Sequence, residues 1–189
     1  MIKYLARGVL RIFGWKIDKY VPAEEKFVLV GAPHTSNWDF TVGLLGVLSL
    51  GVRFKWVAKD SIFTGPPGFI LKKFGGIPVD RSVRNTFTNK MIELFNNRKQ
   101  LILGIMPEGT RSKTNYWKSG FYYIAIGAQV PIALAYMDYR QKRAGVGMLF
   151  HPCGNINIDM ERIKEFYKDK FGKHPEKQSE IKIRDRIKE

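Results

Sequence analysis

The sequence predicts an α/β fold: a single domain with a largely parallel or mixed β-sheet flanked by helices, preceded by a basic amphipathic helix. Two observations support this prediction. After Pro22, short apolar runs alternate with segments of helical apolar spacing, which is typical of strands joined by crossover helices. The chain of 189 residues is long enough for one well-packed domain but short for two, and its 44% apolar content is typical of a globular protein.

Residues 1–20 are the first predicted segment. Ile2, Leu5, Val9, Ile12 and Phe13 recur at helical spacing, and lysines and arginines occupy the other sectors, so a basic amphipathic helix is expected. Such a helix is a candidate membrane anchor, with its apolar face in the acyl boundary and its cations against anionic headgroups. An ordinary surface helix docked on the core explains the same pattern, and the sequence does not choose between the two.

Residues 21–158 are the predicted α/β domain. Its predicted strands are residues 26–30, 54–58, 76–79, 100–105, 130–136 and 146–150. Its predicted helices are residues 38–50, 85–98 and 121–128, with a broken helix at 62–74 where two prolines interrupt the pattern. Residues 159–189 are predicted to be a charged C-terminal helix or tail, solvated or frayed after Gly172.

The charge distribution predicts an anionic partner. The net charge is +15, and residues 1–158 hold 22 Lys and Arg against 9 Asp and Glu, so the excess lies on the folded body. A membrane surface, a phosphate-bearing substrate or a nucleic acid would match this charge. Nucleic acid is not expected, because no recognition motif or disordered basic arm is present.

Several kinds of site are disfavoured. With one cysteine and three scattered histidines, the chain lacks a disulfide framework and zinc-ligand spacing, and no metal is expected. Cys153 is expected to be a small buried thiol rather than a nucleophile. No nucleophile-elbow or phosphate-binding-loop motif occurs, and no apolar stretch approaches the ~18 residues that a spanning helix needs.

A histidine and an aspartate lie five positions apart in GAPHTSNWDF, residues 31–40. Along one continuous helix, five residues turn the second side chain roughly 140° from the first, so a helix must begin between them for the two to meet. Ser36 or Asn37 is suited to cap that helix, which leaves His34 on the loop and Asp39 in the first turn. There an anionic Asp39 can orient His34 as a general base for a substrate hydroxyl. The pair alone is equally consistent with an ordinary hydrogen-bonded histidine.

Three further segments each end or form an apolar run: GGIPVDR at residues 75–81, MPEGTRS at 106–112 and VPIALAY at 130–136. With HTSNWD, and with FKWVAKDSIF between the blocks, they resemble the glycerolipid acyltransferase family, most closely the 1-acyl-sn-glycerol-3-phosphate acyltransferases. The resemblance covers roughly residues 25–140, and four blocks in matching order make it specific.

The resemblance implies roles for the matching residues. His34 and Asp39 correspond to the catalytic pair. The block that binds the phosphate of the acceptor corresponds to Glu108, Gly109, Thr110 and Arg111. Physical chemistry supports this for Arg111, whose planar guanidinium suits phosphate oxygens, and for Gly109, which permits a tight turn; Glu108 is expected to orient Arg111 or another cation. In isolation the same residues are more simply explained as a strand-end turn with a surface ion pair.

Three more residues are weaker candidates. Arg81 is a second candidate phosphate ligand, by resemblance and because it follows a predicted strand. Lys59 would add positive potential to the same pocket, although a lysine at a strand end usually lies on the surface. Pro131 lies in the block tied to donor contact, although a buried strand alone explains its apolar neighbours.

The expected activity is transfer of a fatty acyl group to the hydroxyl of a lysophospholipid such as 1-acylglycerol-3-phosphate, without a covalent enzyme intermediate. The donor is acyl-CoA or acyl-carrier protein, used as co-substrate without a further cofactor. An anionic membrane surface is the expected partner, and the expected location is cytoplasmic, peripheral on the inner face of the cell membrane. The alternatives are the same chemistry on a non-glycerophosphate lysolipid, such as an acylated amino acid, or a non-catalytic peripheral membrane-binding module.

Overall fold

The computed structural model describes residues 1–79 and 84–184. The strands in these residues are β1 Lys16–Ile17, β2 Lys26–Ala32, β3 Lys55–Lys59, β4 Gly76–Val79, β5 Leu101–Ile105, β6 Ile132–Asp138 and β7 Arg143–Phe150. The α-helices are α1 Ile2–Ile12, α2 Asn37–Leu50, α3 Gly65–Lys73, α4 Arg84–Asn96, α5 Gly120–Ala128 and α6 Ile156–Tyr167. Short 3₁₀ helices occupy Asp60–Phe63 and Pro175–Lys177.

One mixed sheet organises the described chain, with the strand order β1-β7-β6-β2-β5-β3-β4. The strands from β6 to β4 in this order pair in parallel, whereas β7 is antiparallel to β6. The predicted α/β class with a largely parallel or mixed sheet is confirmed. Each of the six predicted strands is present: β4 has the predicted bounds, and the other five differ from prediction by one to three residues. The two-residue β1 was not predicted.

The helices α4, α5 and α6 cover one face of this sheet. Alternate residues of a strand point to the same face, so Val28 of β2 and Leu134 of β6 project together into the core. They pack with Phe95 of α4, Ile124 of α5 and Ile163 of α6, all with 0% exposure. This side of the sheet holds the main hydrophobic core.

The opposite face carries α2 and the segment that leads into α3. The indole of Trp56 in β3 packs against Phe40 of α2, with ring centroids 4.6 Å apart, and against Phe63 of the 3₁₀ helix, at 5.5 Å. The crossovers β2–α2–β3 and β3–α3–β4 advance in the same direction across the sheet, so right-handed connections place both helices on one face. The helix α1 packs on α2.

The N-terminal helix is shorter than predicted and docks by a different face. It ends at Ile12, because Lys16 and Ile17 pair with β7 instead. Its buried residues are Ala6 and Leu10, whereas most of the predicted apolar stripe faces solvent; Leu5 is 70% exposed.

The C-terminal segment departs from prediction more strongly. The predicted boundary after residue 158 falls inside α6, because Met160 and Ile163 complete the core. Beyond Gly172, the described chain lies against the domain: the N–H of Trp117 donates to the carbonyl of Lys182 at 2.7 Å. Residues 173–184 are therefore not frayed, as one alternative of the prediction had it, although seven of these twelve residues are exposed to solvent. Cys153 is exposed, contrary to prediction, because it lies on the loop before α6.

Candidate active site

His34 and Asp39 meet because the chain turns between the end of β2 and the start of α2. Ser36 is the N-cap of α2: its hydroxyl accepts a hydrogen bond from the N–H of Trp38 at 3.2 Å, and its own N–H donates to Asp39 at 2.8 Å. This capping box directs the carboxylate of Asp39 toward the loop that carries His34. Nδ1 of His34 lies 3.1 Å from Oδ2 of Asp39, which leaves Nε2 as the nitrogen for a substrate.

Asp39 is fully buried and accepts hydrogen bonds on both oxygens. Oδ2 accepts from the N–H groups of Thr35 at 2.7 Å and Ser36 at 2.8 Å, beside His34. Burial raises the pKa of Asp39, but its hydrogen bonds with His34, Tyr139, Ser36 and Thr35 together hold the pKa below its ordinary value. The carboxylate is therefore ionised at neutral pH and suited to orient His34.

Tyr139 is a site residue that no sequence motif indicates. Its hydroxyl donates to Oδ1 of Asp39 at 2.7 Å, and its ring packs edge-on against Trp15, with centroids 4.9 Å apart. The pKa of Tyr139 is raised, mainly by burial and also by the hydrogen bond to Asp39. The hydroxyl therefore stays protonated and donates. Because 100 positions separate Tyr139 from Asp39, no local pattern could have indicated this contact.

Glu108 contacts the loop between β2 and α2 that carries His34. Its Oε2 accepts a hydrogen bond from the peptide N–H of His34 at 2.7 Å, and the residue is only 4% exposed. The pKa of Glu108 is raised to about 8, mainly by burial. The hydrogen bond from His34 opposes this rise, and the nearby charge of Asp39 adds to it. In the part of the chain that the structure describes, Glu108 thus positions His34, in place of the predicted contact with Arg111 or another cation.

The segment after β5 forms the predicted tight turn. Gly109 has φ of +67°, a conformation that favours glycine, and its N–H donates to the carbonyl of Met106 at 3.1 Å. Thr110 and Arg111 follow as exposed residues, and the hydroxyl of Thr110 accepts from the N–H of Ser112 at 3.3 Å. Arg111 and His34 are both lining residues of one large cleft.

The remaining candidates are placed differently. Lys59 ends β3 as an exposed residue and lines this cleft. Pro131 lies at the opposite end of the sheet, because Val28 pairs with Ile132 in parallel register; it is roughly 16 Å along the strands from the end of β2. Its carbonyl accepts from the N–H of Val28 at 3.0 Å, which is a sheet contact. Arg81 lies outside the described residues.

Some of these residues line an open cleft of about 2200 Å³, whose lining includes residues of α2 on one face of the sheet and of α4, α5 and α6 on the other. His34, Asp39 and Arg111 line its polar part. Its apolar walls include Leu44, Val47, Phe54 and Trp56, which line the part that we call the groove. The cleft therefore combines a base, a cation and space for a hydrocarbon chain, and only the strand order brings these three together.

The C-terminal segment packs against the loop that carries His34, a contact that the sequence did not predict. Thr35, next to His34, is buried, and its hydroxyl accepts from the N–H of His174 at 3.1 Å. A Cβ on Gly172 would lie 2.6 Å from the same hydroxyl, so the chain needs glycine to pass this closely. Lys173 lies over the ring of Trp38, with Nζ 5.3 Å from the centroid.

Comparison with known proteins identifies relatives of this chain. Residues 15–137 match the family model described as Acyltransferase. The Homo sapiens 1-acyl-sn-glycerol-3-phosphate acyltransferase beta is 33% identical over 141 residues, which cover 70% of this chain and 50% of the human protein. The chloroplastic 1-acyl-sn-glycerol-3-phosphate acyltransferase LPAT1 of Arabidopsis thaliana is 29% identical over 137 residues, which cover 67% of this chain and 37% of the plant protein. The chain spans half or less of the length of these relatives.

A solved structure shares the fold. The 1-acyl-sn-glycerophosphate (LPA) acyltransferase PlsC from Thermotoga maritima superposes with a TM-score of 0.61, at 18% identity. The match covers 91% of this chain and 80% of that one. It shows a common architecture that includes almost the whole of this chain.

Proposed function

Because the chain belongs to the Acyltransferase family, we propose that it transfers a fatty acyl group from a thioester donor to the hydroxyl of a lysophospholipid such as 1-acylglycerol-3-phosphate. The observation that carries this proposal is the 3.1 Å contact between His34 and Asp39 in a cleft that Arg111 also lines. The names of the two curated relatives support this class of acceptor. The donor is acyl-CoA or acyl-carrier protein.

In the proposed reaction, Nε2 of His34 takes the proton of the acceptor hydroxyl while the oxygen attacks the thioester carbonyl carbon. The carbon–oxygen bond forms, the carbon–sulfur bond breaks, and the proton on the imidazolium passes to the departing thiolate. Asp39 stabilises the imidazolium because its carboxylate stays ionised. The nucleophile belongs to the acceptor, so the mechanism needs no covalent enzyme intermediate and no cofactor besides the donor.

The acceptor phosphate is proposed to bind at the turn of Gly109, Thr110 and Arg111. Arg111 is exposed in the cleft, where its guanidinium can pair with two phosphate oxygens. Lys59 adds positive charge to the cleft, and Arg81 stays a second candidate ligand. Within the described residues, no group of three or more His, Cys, Asp or Glu side chains could hold a metal ion. The prediction that no metal takes part remains untested.

Membrane attachment is proposed through α1. Leu5 and Ile12 are 70% and 83% exposed, and Arg7 and Arg11 are exposed on the same helix, so an apolar and basic surface is available to an anionic bilayer. None of the helices in the described part of the chain has the length and hydropathy to cross a membrane. Peripheral attachment to the inner face of the cell membrane stays a prediction.

The proposal is tested by acyl transfer with purified variants. We expect His34→Ala to lower kcat by about 10²–10⁴-fold, the usual contribution of a general base, and Asp39→Asn to lower it as well. His151→Ala, which removes an exposed histidine after β7, is the matched control and should behave as wild type. Transfer near the wild-type rate in His34→Ala would end the mechanism.

Product analysis by mass, with several lysolipids and both donors, tests the substrates. Transfer to phosphate-bearing acceptors, weakened by Arg111→Ala, supports the proposal. Transfer to phosphate-free acceptors with indifference to Arg111→Ala favours the alternative acceptor. Vesicle binding without transfer to any acceptor identifies a non-catalytic membrane-binding module.

A further inference from the structure

A second apolar surface lies at the rim of the cleft, formed by α3 and the 3₁₀ helix before it. Ile62, Phe69, Ile70 and Phe74 are 45%, 72%, 54% and 37% exposed. We call these four side chains the α3 surface. Four large apolar side chains exposed within thirteen residues exceed the scattered single exposures that are usual on soluble proteins.

The backbone holds α3 in an orientation that keeps these side chains outside. A Cβ on Gly68 would lie 2.1 Å from the backbone carbonyl of Phe63, so the Gly68 side of the helix lies against the 3₁₀ helix. Phe69 and Ile70 follow at about 100° and 200° around the helix from Gly68, and Lys73 at about 140°. The exposed side therefore combines aromatic, aliphatic and cationic groups.

The charge around this surface selects an anionic occupant. Within the described segment 54–79, Lys59, Lys72 and Lys73 are exposed, and Asp60 is the one acidic residue. Apolar side chains bordered by lysines match the interface of an anionic bilayer, where the apolar groups enter the acyl boundary and the ammonium groups meet the headgroups. A protein partner would have to bury these lysines, which is costly without paired carboxylates.

The α3 surface lies beside the apolar part of the cleft that could hold an acyl chain. Trp56 contacts both Phe40 of α2 and Phe63, so α2 and the α3 segment flank the groove on one face of the sheet. Ile62 and Leu71 line the cleft on the α3 side. The helix α1, with its own exposed apolar side chains, packs on α2 at the other side.

We propose that the α3 surface is a second membrane contact. It would bind an anionic bilayer at the α3 side of the cleft, while α1 binds the bilayer at the α1 side. The groove then opens toward lipid between two membrane-bound ridges, and an acyl chain enters it without crossing water. This inference rests on the proposed function, because a lipid acceptor is the reason for the cleft to face a bilayer.

Co-sedimentation with phosphatidylcholine vesicles, with and without phosphatidylglycerol, tests the contact. Phe69→Asn/Ile70→Asn should lower partitioning about tenfold or more, because two buried apolar side chains are lost from the interface. The matched control is Ile126→Asn/Ile158→Asn, which removes exposed isoleucines of α5 and α6 on the opposite face and should bind as wild type. Equal binding of both double variants and wild type would overturn the proposal.

Charge is tested separately. Lys72→Gln/Lys73→Gln should weaken binding to phosphatidylglycerol vesicles by about fivefold per lysine and leave binding to pure phosphatidylcholine unchanged. Lys90→Gln/Lys99→Gln, which removes exposed lysines at α4 and just beyond it, is the control. Equal weakening by both pairs would show a general charge effect and count against a local contact.

A conservative variant guards against misfolding of the asparagine variants. In Phe69→Trp, brominated acyl chains should quench more of the indole fluorescence than in Ile158→Trp; equal quenching would refute insertion of α3. Transfer to a short-chain, monomeric acceptor should be unchanged in Phe69→Asn/Ile70→Asn, whereas transfer on vesicles falls. If wild type binds vesicles through Phe69 but transfers no acyl group, the proposed function is wrong and the membrane contact of the α3 surface is supported.

Discussion

Replacing Tyr139 with phenylalanine removes one hydroxyl and leaves the ring in place. That hydroxyl donates to Oδ1 of Asp39 at 2.7 Å, whereas the ring packs against Trp15 with centroids 4.9 Å apart. Tyr139→Phe therefore separates the hydrogen bond from the packing. We expect the variant to fold, to lose stability at neutral pH and to have a lower kcat, because the carboxylate that orients His34 loses one of its four hydrogen-bond partners.

The size of the effect follows from the burial of the acceptor. A hydrogen bond to a charged group contributes about 1.5–3 kcal/mol, and Asp39 keeps its other partners, so we expect a loss of about 1.5–2 kcal/mol in the free energy of unfolding. The same loss in transition-state stabilisation would lower kcat by about tenfold or somewhat more.

The pH dependence distinguishes an effect through ionised Asp39 from a packing defect. Burial raises the pKa of Asp39, but its hydrogen bonds hold the pKa below the ordinary value. A carboxylate with a lowered pKa stabilises the fold above its unfolded pKa of about 3.9, and this stability is lost as the pH falls through the folded pKa. The gap between wild type and Tyr139→Phe should stay constant down to about pH 4 and close below it.

Urea unfolding across this pH range and steady-state transfer kinetics provide the measurements. Tyr20→Phe, which removes the hydroxyl of a half-exposed tyrosine, is the control and should match wild type in both. An unchanged kcat, with a stability gap that does not close at low pH, would refute the role assigned to the Tyr139 hydroxyl.

Three further predictions concern the cleft. Arg111→Ala should raise KM for a phosphate-bearing acceptor by about tenfold with little change in kcat, measured by steady-state kinetics beside Lys113→Ala; an unchanged KM would make Arg111 structural. Because burial raises the pKa of Glu108 from 4.5 to about 8, wild type should lose stability as the pH rises through this range, on the order of 5 kcal/mol. Glu108→Gln, which does not titrate, should show no such loss in urea unfolding, and parallel pH curves would contradict this reasoning. A Cβ on Gly43 would lie 3.8 Å from Sδ of Met137, so Gly43→Ala should be tolerated, whereas Gly43→Leu should fill the groove and lower transfer of long acyl chains more than short ones, as measured by product mass.

Local pattern was sufficient for most elements of the fold. The capping signal at Ser36 or Asn37 placed the start of α2 to within one residue, because a cap and its first turn involve only neighbouring residues. The end of α1 was misplaced because Lys16 and Ile17 pair with a strand more than a hundred residues away. The packing of residues 173–184 was missed for the same reason, since a charged composition does not reveal the contact with Trp117.

The candidate site divides along similar lines. The contact between His34 and Asp39 followed from spacing, because the turn that joins them is local. The contact of Glu108 with His34 did not, since it depends on β2 and β5 being neighbours in the sheet. Pro131 was grouped with the site by motif order, but parallel pairing of β2 and β6 places it at the other end of the strands.

By itself, the sequence determined the α/β class, the family and the pair of residues proposed for catalysis, because periodicity, helix caps and motif blocks are properties of short segments. Tertiary structure alone decided that Tyr139 and Glu108 support this pair, that the groove opens between α2 and α3, and that the apolar side chains of α1 and α3 face outward. The physical reason is that strand order and the choice of sheet face bring together residues that are distant in the chain, and no segment carries that information alone.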